Sequence, residues 1–246
     1  DVSASDTGPA EISAPDLHEE HSIITRISPD RLIIGALLSL ALLFTILAAA
    51  ALGIVFLFTD MSGLLFGLII PIGFGMFQIV SSRVFTQWDF TLSRTEHGLR
   101  ITRGLFDRSS QTIPFDRIQG IELVEPLLWR KYGWVQLEID VAGYGVVSSE
   151  NGVSVTTLLP IGDYALAHAL IDELIHEPHP EEHELNVSRL SERSRIFAPI
   201  GWRYRSLSRS ESSLRAHSGW VTKRTDFVPQ SKVQSVSVDQ GPWQRK

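Results

Sequence analysis

The sequence predicts a membrane-anchored α+β protein: a hairpin of two transmembrane helices, then a small β-rich domain closed by one helix, then the start of a second domain of the same type. Three observations predict this arrangement. Two long apolar runs lie between residues 32 and 80. Segments that alternate apolar and polar residues follow between residues 84 and 175, as half-buried strands do. Finally, the stretch 92–131 recurs without a gap as residues 207–246.

The repeat predicts the domain organisation. Its two copies are offset by 115 positions, and eleven residues recur unchanged. In the first copy they are Leu92, Ser93, Arg94, Glu96, Leu99, Arg100, Gly104, Pro114, Gln119, Arg130 and Lys131; in the second they are Leu207, Ser208, Arg209, Glu211, Leu214, Arg215, Gly219, Pro229, Gln234, Arg245 and Lys246. Two copies with so long a period do not make a solenoid. We interpret them as tandem copies of one domain, the second cut off by the end of the chain.

Charge is distributed unevenly along the chain. Residues 1–30 carry seven acids and one base, whereas residues 187–246 carry twelve bases and four acids. The acidic segment is rich in Ser, Pro and Ala and lacks an apolar period, so residues 1–30 are predicted to be a disordered, acidic, cytoplasmic N-terminus. The chain has no cysteine, which excludes disulfides and thiolate metal sites.

The apolar runs at residues 32–58 and 63–80 contain no charged residue. A helix of the first length reaches roughly 40 Å, more than the roughly 30 Å hydrocarbon core of a bilayer. We therefore predict two transmembrane helices within residues 31–82. Pro71, Gly73 and Gly75 predict a kink in the second helix or its close approach to the first.

The flanks of the apolar runs predict their orientation. Arg26 and Arg31 precede the first run, Arg83 and Arg94 follow the second, and the turn between the runs has no base. Cytoplasmic loops of membrane proteins carry an excess of such bases. Both ends of the hairpin, and everything after it, are therefore predicted to lie in the cytoplasm.

Residues 84–175 are predicted to form the first domain. Gln87–Ser93 and Gly98–Gly104 read as a hairpin, and Val135, Leu137 and Ile139 place one apolar face on a later strand. Asp163 is the predicted N-cap of a closing helix. That helix carries an apolar stripe of Leu166, Leu170, Ile171, Leu174 and Ile175.

Residues 176–201 are predicted to be a linker, and residues 202–246 the start of the second domain. His176, His179 and His183 have spacings that a metal could use, but Pro178 and Pro180 break the helix that would aim them, so we predict a solvated linker. A dinucleotide-binding loop has a third glycine and is followed by a helix. Gly143-Tyr144-Gly145 has neither, so we interpret it as a hairpin turn.

A motif shared by the two copies carries a family resemblance. In the first copy it consists of Gly104, Leu105, Arg108, Ile113, Pro114, Arg117, Ile118, Gln119, Trp129, Arg130 and Lys131; in the second, of Gly219, Trp220, Lys223, Val228, Pro229, Lys232, Val233, Gln234 and the closing WQRK. With the preceding hairpin, this motif resembles the bacterial pleckstrin-homology-like (PH-like) family, also called the bacterial membrane-flanked domain. The resemblance implies a split barrel of seven strands capped by a C-terminal helix, on a non-enzymatic protein of the bacterial inner membrane.

The bases of the second copy are the candidate ligand-binding residues. Those predicted to contact anionic lipid headgroups are Arg203, Arg205, Arg209, Arg215, Lys223, Arg224 and Lys232; the alternative is an ordinary basic face. In eukaryotic PH domains a basic loop between the first two strands binds phosphoinositides. We assign that loop to residues 94–97 and 209–212. Each has one base and one acid, which argues against specific phosphoinositide capture.

The duplicated domain and the anchor therefore predict a scaffold that binds protein partners or its own copies at the membrane, and the resemblance implies a role in an envelope-stress or antimicrobial-peptide response. We identify no catalytic constellation, cofactor motif or metal site, and expect no nucleic-acid partner. The alternative function is a module that senses anionic lipids. Membrane transport is a weaker alternative, because neither apolar run contains an acidic, basic or histidine side chain.

Overall fold

A computed structural model describes residues 22–57, 62–142, 154–175, 186–189, 201–210 and 213–233. Residues 59–61 of the predicted turn between the apolar runs, the 143–145 turn and the three linker histidines lie outside these ranges. Within them the protein has helices α1 (Pro29–Leu37), α2 (Leu40–Leu57), α3 (Ser62–Thr86) and α4 (Tyr164–Ile175). Two antiparallel sheets complete an α+β fold, as predicted.

The first apolar run is not one helix. α1 ends at Leu37 and α2 begins at Leu40, with a bend of 44° between them. Ser39 is buried, and its hydroxyl accepts a hydrogen bond from the Leu42 amide at 3.3 Å, which caps the start of α2. A serine in an apolar run gave no sign of a break, so the prediction of one helix over residues 32–58 was wrong.

The second apolar run lies in α3, which extends past the predicted end at residue 80 to Thr86. Pro71 lies inside this helix. Within the described ranges, no single helix is long and apolar enough to cross a bilayer. The bent pair Pro29–Leu37 and Leu40–Ile54 reaches that length and composition together.

The first sheet has four strands in the order β1 (Ser22–Arg26), β2 (Thr91–Thr95), β3 (Gly98–Arg103) and β4 (Ser109–Pro114). β1 lies before the helices in sequence, yet it pairs with β2 after them. Residues 22–30 were predicted to be disordered, but they form β1 and the start of α1. Backbone hydrogen bonds to β2, which lies more than sixty residues away, hold a strand that is too short to be stable by itself.

Among the described residues, the second sheet has seven strands and is open, not closed into a barrel. Its order is β7 (Ser154–Asp163), β6 (Trp134–Val141), β5 (Ile118–Pro126), β11 (Thr222–Pro229), β10 (Ser213–Ser218), β9 (Ser206–Arg209) and β8 (Asn186–Arg189). The first three strands belong to the first copy of the repeat, and the last four come from residue 186 onwards. One sheet therefore runs through both copies.

The hydrophobic core lies between the first sheet, strands β5 to β7 and α4. Val135, Leu137 and Ile139 are buried and alternate with half-buried Gln136, Glu138 and Asp140, which confirms the predicted strand. On α4 the inward stripe is Ala167, Leu170, Ile171 and Ile175, with Leu166 and Leu174 packed at its margin. The sequence predicted this stripe except for Ala167.

The two copies of the repeat have the same local structure. β9, β10 and β11 stand 115 positions after β2, β3 and β4, and the pairing register is preserved: Gly98 faces Pro114, and Ser213 faces Pro229. A 3-10 turn follows in both copies, at Phe115–Arg117 and Gln230–Lys232. The gap-free sequence alignment is thus also a structural one.

The repeat includes a strand that the sequence did not reveal. β8 pairs with β9 as β1 pairs with β2, so that Arg189 faces Ser206 and Arg26 faces Thr91. The predicted linker 176–201 therefore contains a strand of the second sheet. The signal was present: Thr25-Arg26-Ile27-Ser28 resembles Ser188-Arg189-Leu190-Ser191. The helices separate β1 from β2 in the first copy, and this insertion hid the match.

Candidate functional site

The candidate functional site is the junction where β11 of the second copy pairs with β5 of the first. The two strands are antiparallel over six residue pairs, from Thr222 opposite Pro126 to Phe227 opposite Ile121. Phe227 is only 3% exposed and belongs to the core of the first copy. The second copy therefore extends the sheet of the first and also supplies part of its core.

Side chains reinforce the junction at three places. The guanidinium of Arg130 donates hydrogen bonds of 3.0 Å to the carbonyl oxygens of Trp220 and Val221, and two longer ones to that of Glu125. Arg224 forms an ion pair with Glu122. The ammonium of Lys232 donates to the carbonyl oxygen of Asp116. Arginine suits the first role because its planar fork can donate to several carbonyls at once.

Acidic side chains crowd the outer face of this junction. Glu122 faces Asp226 on β11, and Asp140 lies beside it on β6. Burial, and then the charges of Glu122 and Asp140, raise the pKa of Asp226 to about 6, although Arg224 acts in the opposite direction. Burial also raises the pKa of Asp140, with a smaller contribution from Glu122. The described residues contain no group of acids and histidines with the geometry of a metal site.

A cleft of about 540 Å³ lies between this sheet and the helices. Leu40, Ala41 and Gly35 line its helical side, and Gln136, Glu138 and Arg224 line its sheet side. The helical side also includes polar Ser39 and Gln87, and the sheet side includes apolar Val124 and Ile161, so both walls mix apolar and polar residues.

A second cluster of charged side chains lies at the end of the first sheet that faces the helices. Asp89 accepts ion pairs from Arg26 at 2.6 Å and from Arg108 at 2.7 Å. The hydrogen bonds from Arg26 and Arg108 hold the pKa of Asp89 below its usual value. This cluster joins the end of β1, the turn after α3 and the loop before β4.

The seven residues predicted to contact lipid differ in exposure and position in the structure. Arg203, Arg205 and Lys223 are exposed and lie near the β10–β11 loop, where Tyr204 stacks on Trp220. Arg209 is exposed at the opposite end of β9. Arg224 and Lys232 are engaged at the junction. Arg215 is 5% exposed beneath the second sheet, 5.7 Å from the Phe227 ring centre, so its prediction as a surface contact was wrong.

The predicted phosphoinositide loop was also misplaced. Residues 94–97 comprise the end of β2 and its turn into β3, at the end of the sheet that points away from the helices. Because β1 is the first strand, the first connection contains the entire helical segment. The acid–base count in residues 94–97 therefore says nothing about lipid capture. Burial of Arg215 and the position of β1 both depend on long-range pairing that the sequence did not predict.

Comparison with known proteins gives the family. The family model described as "Bacterial PH domain" matches residues 30–177 and 187–246. The chain belongs to this bacterial PH domain family, in agreement with the resemblance carried by the repeated motif. The match includes the helices of the first copy and begins again with the strand β8.

A curated relative matches part of the chain. The UPF0699 transmembrane protein YdbT of Bacillus subtilis (strain 168) is 30% identical over 82 residues, which make up 33% of this chain and 16% of the relative. The match thus spans about a sixth of the relative's length. No solved structure matches this chain.

Proposed function

We propose that this protein is a non-enzymatic, membrane-anchored scaffold whose tandem PH-like domains hold protein partners or further copies of the chain at the bacterial inner membrane. The observation that carries the proposal is the pairing of β11 with β5. Adding a strand to a sheet edge is a general mode of protein recognition, in which main-chain bonds give affinity and side chains give specificity. This chain uses that mode between its own two copies.

The helices support the membrane anchor. Large apolar side chains point outward along α2 and α3, which is costly in water and favourable in lipid. They include Phe44, Ile46, Leu47, Leu52, Ile54, Phe74 and Phe77, of which Phe44, Phe74 and Phe77 are each more than 60% exposed. The relative from Bacillus subtilis is described as a transmembrane protein, which agrees with this surface.

The pairing of β1 with β2 supports the proposed topology. β1 precedes the helices and β2 follows them, yet the two strands share one sheet. Both ends of the helical segment must then lie on one side of the bilayer. The flanking bases Arg26, Arg31, Arg83 and Arg94 make that side the cytoplasm in this proposal.

Crosslinking in intact cells tests the scaffold. Among the described strands, β4 is an edge of the first sheet and corresponds to β11 of the second copy. A photoreactive amino acid replacing exposed Ser110 on β4 is expected to give discrete protein adducts after membrane isolation. The same substitution at exposed Glu96, in the β2–β3 turn, is the matched control. Adducts that form in equal amounts at the two positions, or at neither position, would count against the scaffold.

The envelope-stress part of the proposal has its own test. If the chain acts in that response, deleting its gene increases sensitivity to cationic antimicrobial peptides, and the intact chain restores resistance. A deletion strain with unchanged sensitivity would remove this role and leave the scaffold intact.

The second candidate function is a sensor of anionic lipids. Arg203 and Arg205 flank Tyr204, which stacks on Trp220, and Lys223 follows Trp220 by three residues; the exposure of these three bases favours that function. Replacing all three by Gln is expected to weaken binding to vesicles that contain phosphatidylglycerol, with little effect on neutral vesicles. Because exposed charges are screened, wild-type binding should also fall as salt rises. Vesicle binding that changes neither with salt nor with the triple substitution would exclude this function.

A further inference from the structure

The loop between β3 and β4, and the equivalent loop of the second copy, expose large apolar side chains. Phe106 is 84% exposed and Leu105 40%. Trp220, which stands 115 positions after Leu105, is 55% exposed. The same position of both copies thus presents a large apolar side chain to solvent, although the side chains differ.

The backbone forces these side chains outward. Gly104 and Gly219 open the two loops with φ of +115° and +82°, a region that favours glycine. A Cβ atom on Gly104 would lie 2.0 Å from the Asp107 carbonyl oxygen, and one on Gly219 would lie 2.0 Å from that of Thr222. The tight turn is therefore the same in both copies, and the next residue in each copy is at its tip.

The first loop is attached to the last turn of α3. The Leu105 amide donates to the Phe85 carbonyl oxygen at 3.2 Å, and the Gly104 amide donates to that of Trp88 at 2.8 Å. The Phe106 ring stands edge-on to the Phe85 ring, with centroids 5.5 Å apart. Arg108, which binds Asp89, lies at the other end of the loop. Leu105 and Phe106 therefore extend the apolar surface of the helices, and the base Arg108 follows them in the loop.

The second loop also lies beside aromatic side chains. Trp220 stacks on Tyr204, whose centroid is 6.2 Å away, and Arg203 lies over Trp202. Thr222, the first residue of β11, lines the cleft whose helical side includes Ser39 and Leu40, so this end of the hairpin faces the helices. Trp and Tyr are enriched where a membrane meets water, because their rings are apolar with one polar group.

We propose that Leu105 and Phe106 of the first copy, and Trp220 of the second, insert into the interface of the same bilayer that holds the helices. This inference rests on the proposed membrane anchor. The partner is a phospholipid bilayer, and the contact is apolar insertion, unlike charge-based sensing. Such insertion fixes both copies against the membrane and sets the orientation of the sheet that joins them.

The absence of native cysteine makes a direct test simple. Single cysteines replace Phe106 (F106C), Trp220 (W220C), Glu96 (E96C) or Phe44 (F44C) in the full chain, each labelled with the environment-sensitive dye NBD. The proteins are placed in nanodiscs of mixed phosphatidylcholine and phosphatidylglycerol. All four positions are exposed, so the substitutions leave the core intact. Doxyl-labelled lipids then quench any dye that lies within the bilayer.

The expected result is quenching at Phe106 and Trp220 of about the same extent as at Phe44 in α2, and none at Glu96. Quenching at Phe44 alone would overturn the inference and leave the membrane anchor standing. Quenching at none of the positions would overturn both. Quenching at Phe106 but not at Trp220 would overturn the part that concerns the second copy.

Discussion

The indole nitrogen of Trp129 donates a hydrogen bond of 3.1 Å to the carbonyl oxygen of Gly35, ninety-four positions earlier in the chain. Gly35 lies on α1, and Trp129 belongs to the short helical turn before β6. A Cβ atom on Gly35 would lie 2.7 Å from Ile161 and 3.1 Å from the Trp129 ring. α1 is thus part of the folded domain, which is why the first apolar run breaks at Ser39.

Replacing Trp129 by Phe is expected to lower the free energy of unfolding by about 1–3 kcal/mol, because the Gly35 carbonyl is buried and loses its donor. Thermal unfolding of the full chain in detergent measures this change. Trp134→Phe is the matched control, since Trp134 stacks on Tyr132 instead. Equal losses for the two variants would mean that the hydrogen bond contributes nothing specific.

Replacing Arg130 by Lys is expected to loosen the second copy from the first. A lysine keeps the charge but cannot donate to the Glu125, Trp220 and Val221 carbonyls together. Amide exchange along β11 should accelerate by about tenfold, equivalent to about 1.4 kcal/mol, while exchange along β3 stays unchanged. Lys131→Gln, at the neighbouring exposed position, is the control. Unchanged β11 exchange in the Arg130 variant would contradict the assigned role.

The free energy of unfolding is expected to fall as pH rises from about 4 to about 6, because Asp226 at the junction holds its proton more tightly in the folded state than in the unfolded state. The pKa of Asp226 is about 6 in the folded protein against 3.8 ordinarily. The folded state therefore holds a proton that the unfolded state has already lost, and folding becomes less favourable across this window. Asp226→Asn removes this dependence and should raise the melting temperature at pH 7 by about 3 °C.

Melting curves between pH 4 and pH 8 check the Asp226 prediction. Asp116→Asn, which leaves the Glu122 and Asp140 carboxylates in place, is the control. A pH profile that is equally steep in wild type and Asp226→Asn would show that another group is responsible.

The contribution of Asp89 to stability should depend on pH in the opposite sense to that of Asp226. Arg26 and Arg108 lower its pKa, so its contribution is present above its ordinary pKa of 3.8 and is lost as pH falls through the lower folded value. Because both arginines are exposed, Asp89→Asn is expected to cost less than about 1 kcal/mol at pH 7.

The backbone at Asp89 provides a second comparison. Its φ is +51°, a conformation that Asn tolerates and Ala does not. Asp89→Ala should therefore lose about 1 kcal/mol more than Asp89→Asn. Chemical denaturation of both variants at pH 7 measures the difference, and equal losses would exclude backbone strain as the reason.

The sequence by itself determined the features that depend on nearby residues. Alternation of apolar residues located β6, the i, i+4 stripe located α4, and the gap-free repeat fixed the equivalence of β2–β4 with β9–β11. Each of these patterns is periodic because successive side chains point in directions set by local backbone geometry.

Only the tertiary structure decided which distant segments pair. It placed Ser22–Arg26 beside β2, joined Phe227 to the core of the first copy and buried Arg215. It also broke the first apolar run at Ser39, because α1 docks on Trp129. Backbone hydrogen bonds are alike for every residue type, so a short strand such as β1 or β8 has little sequence signal until its partner is known.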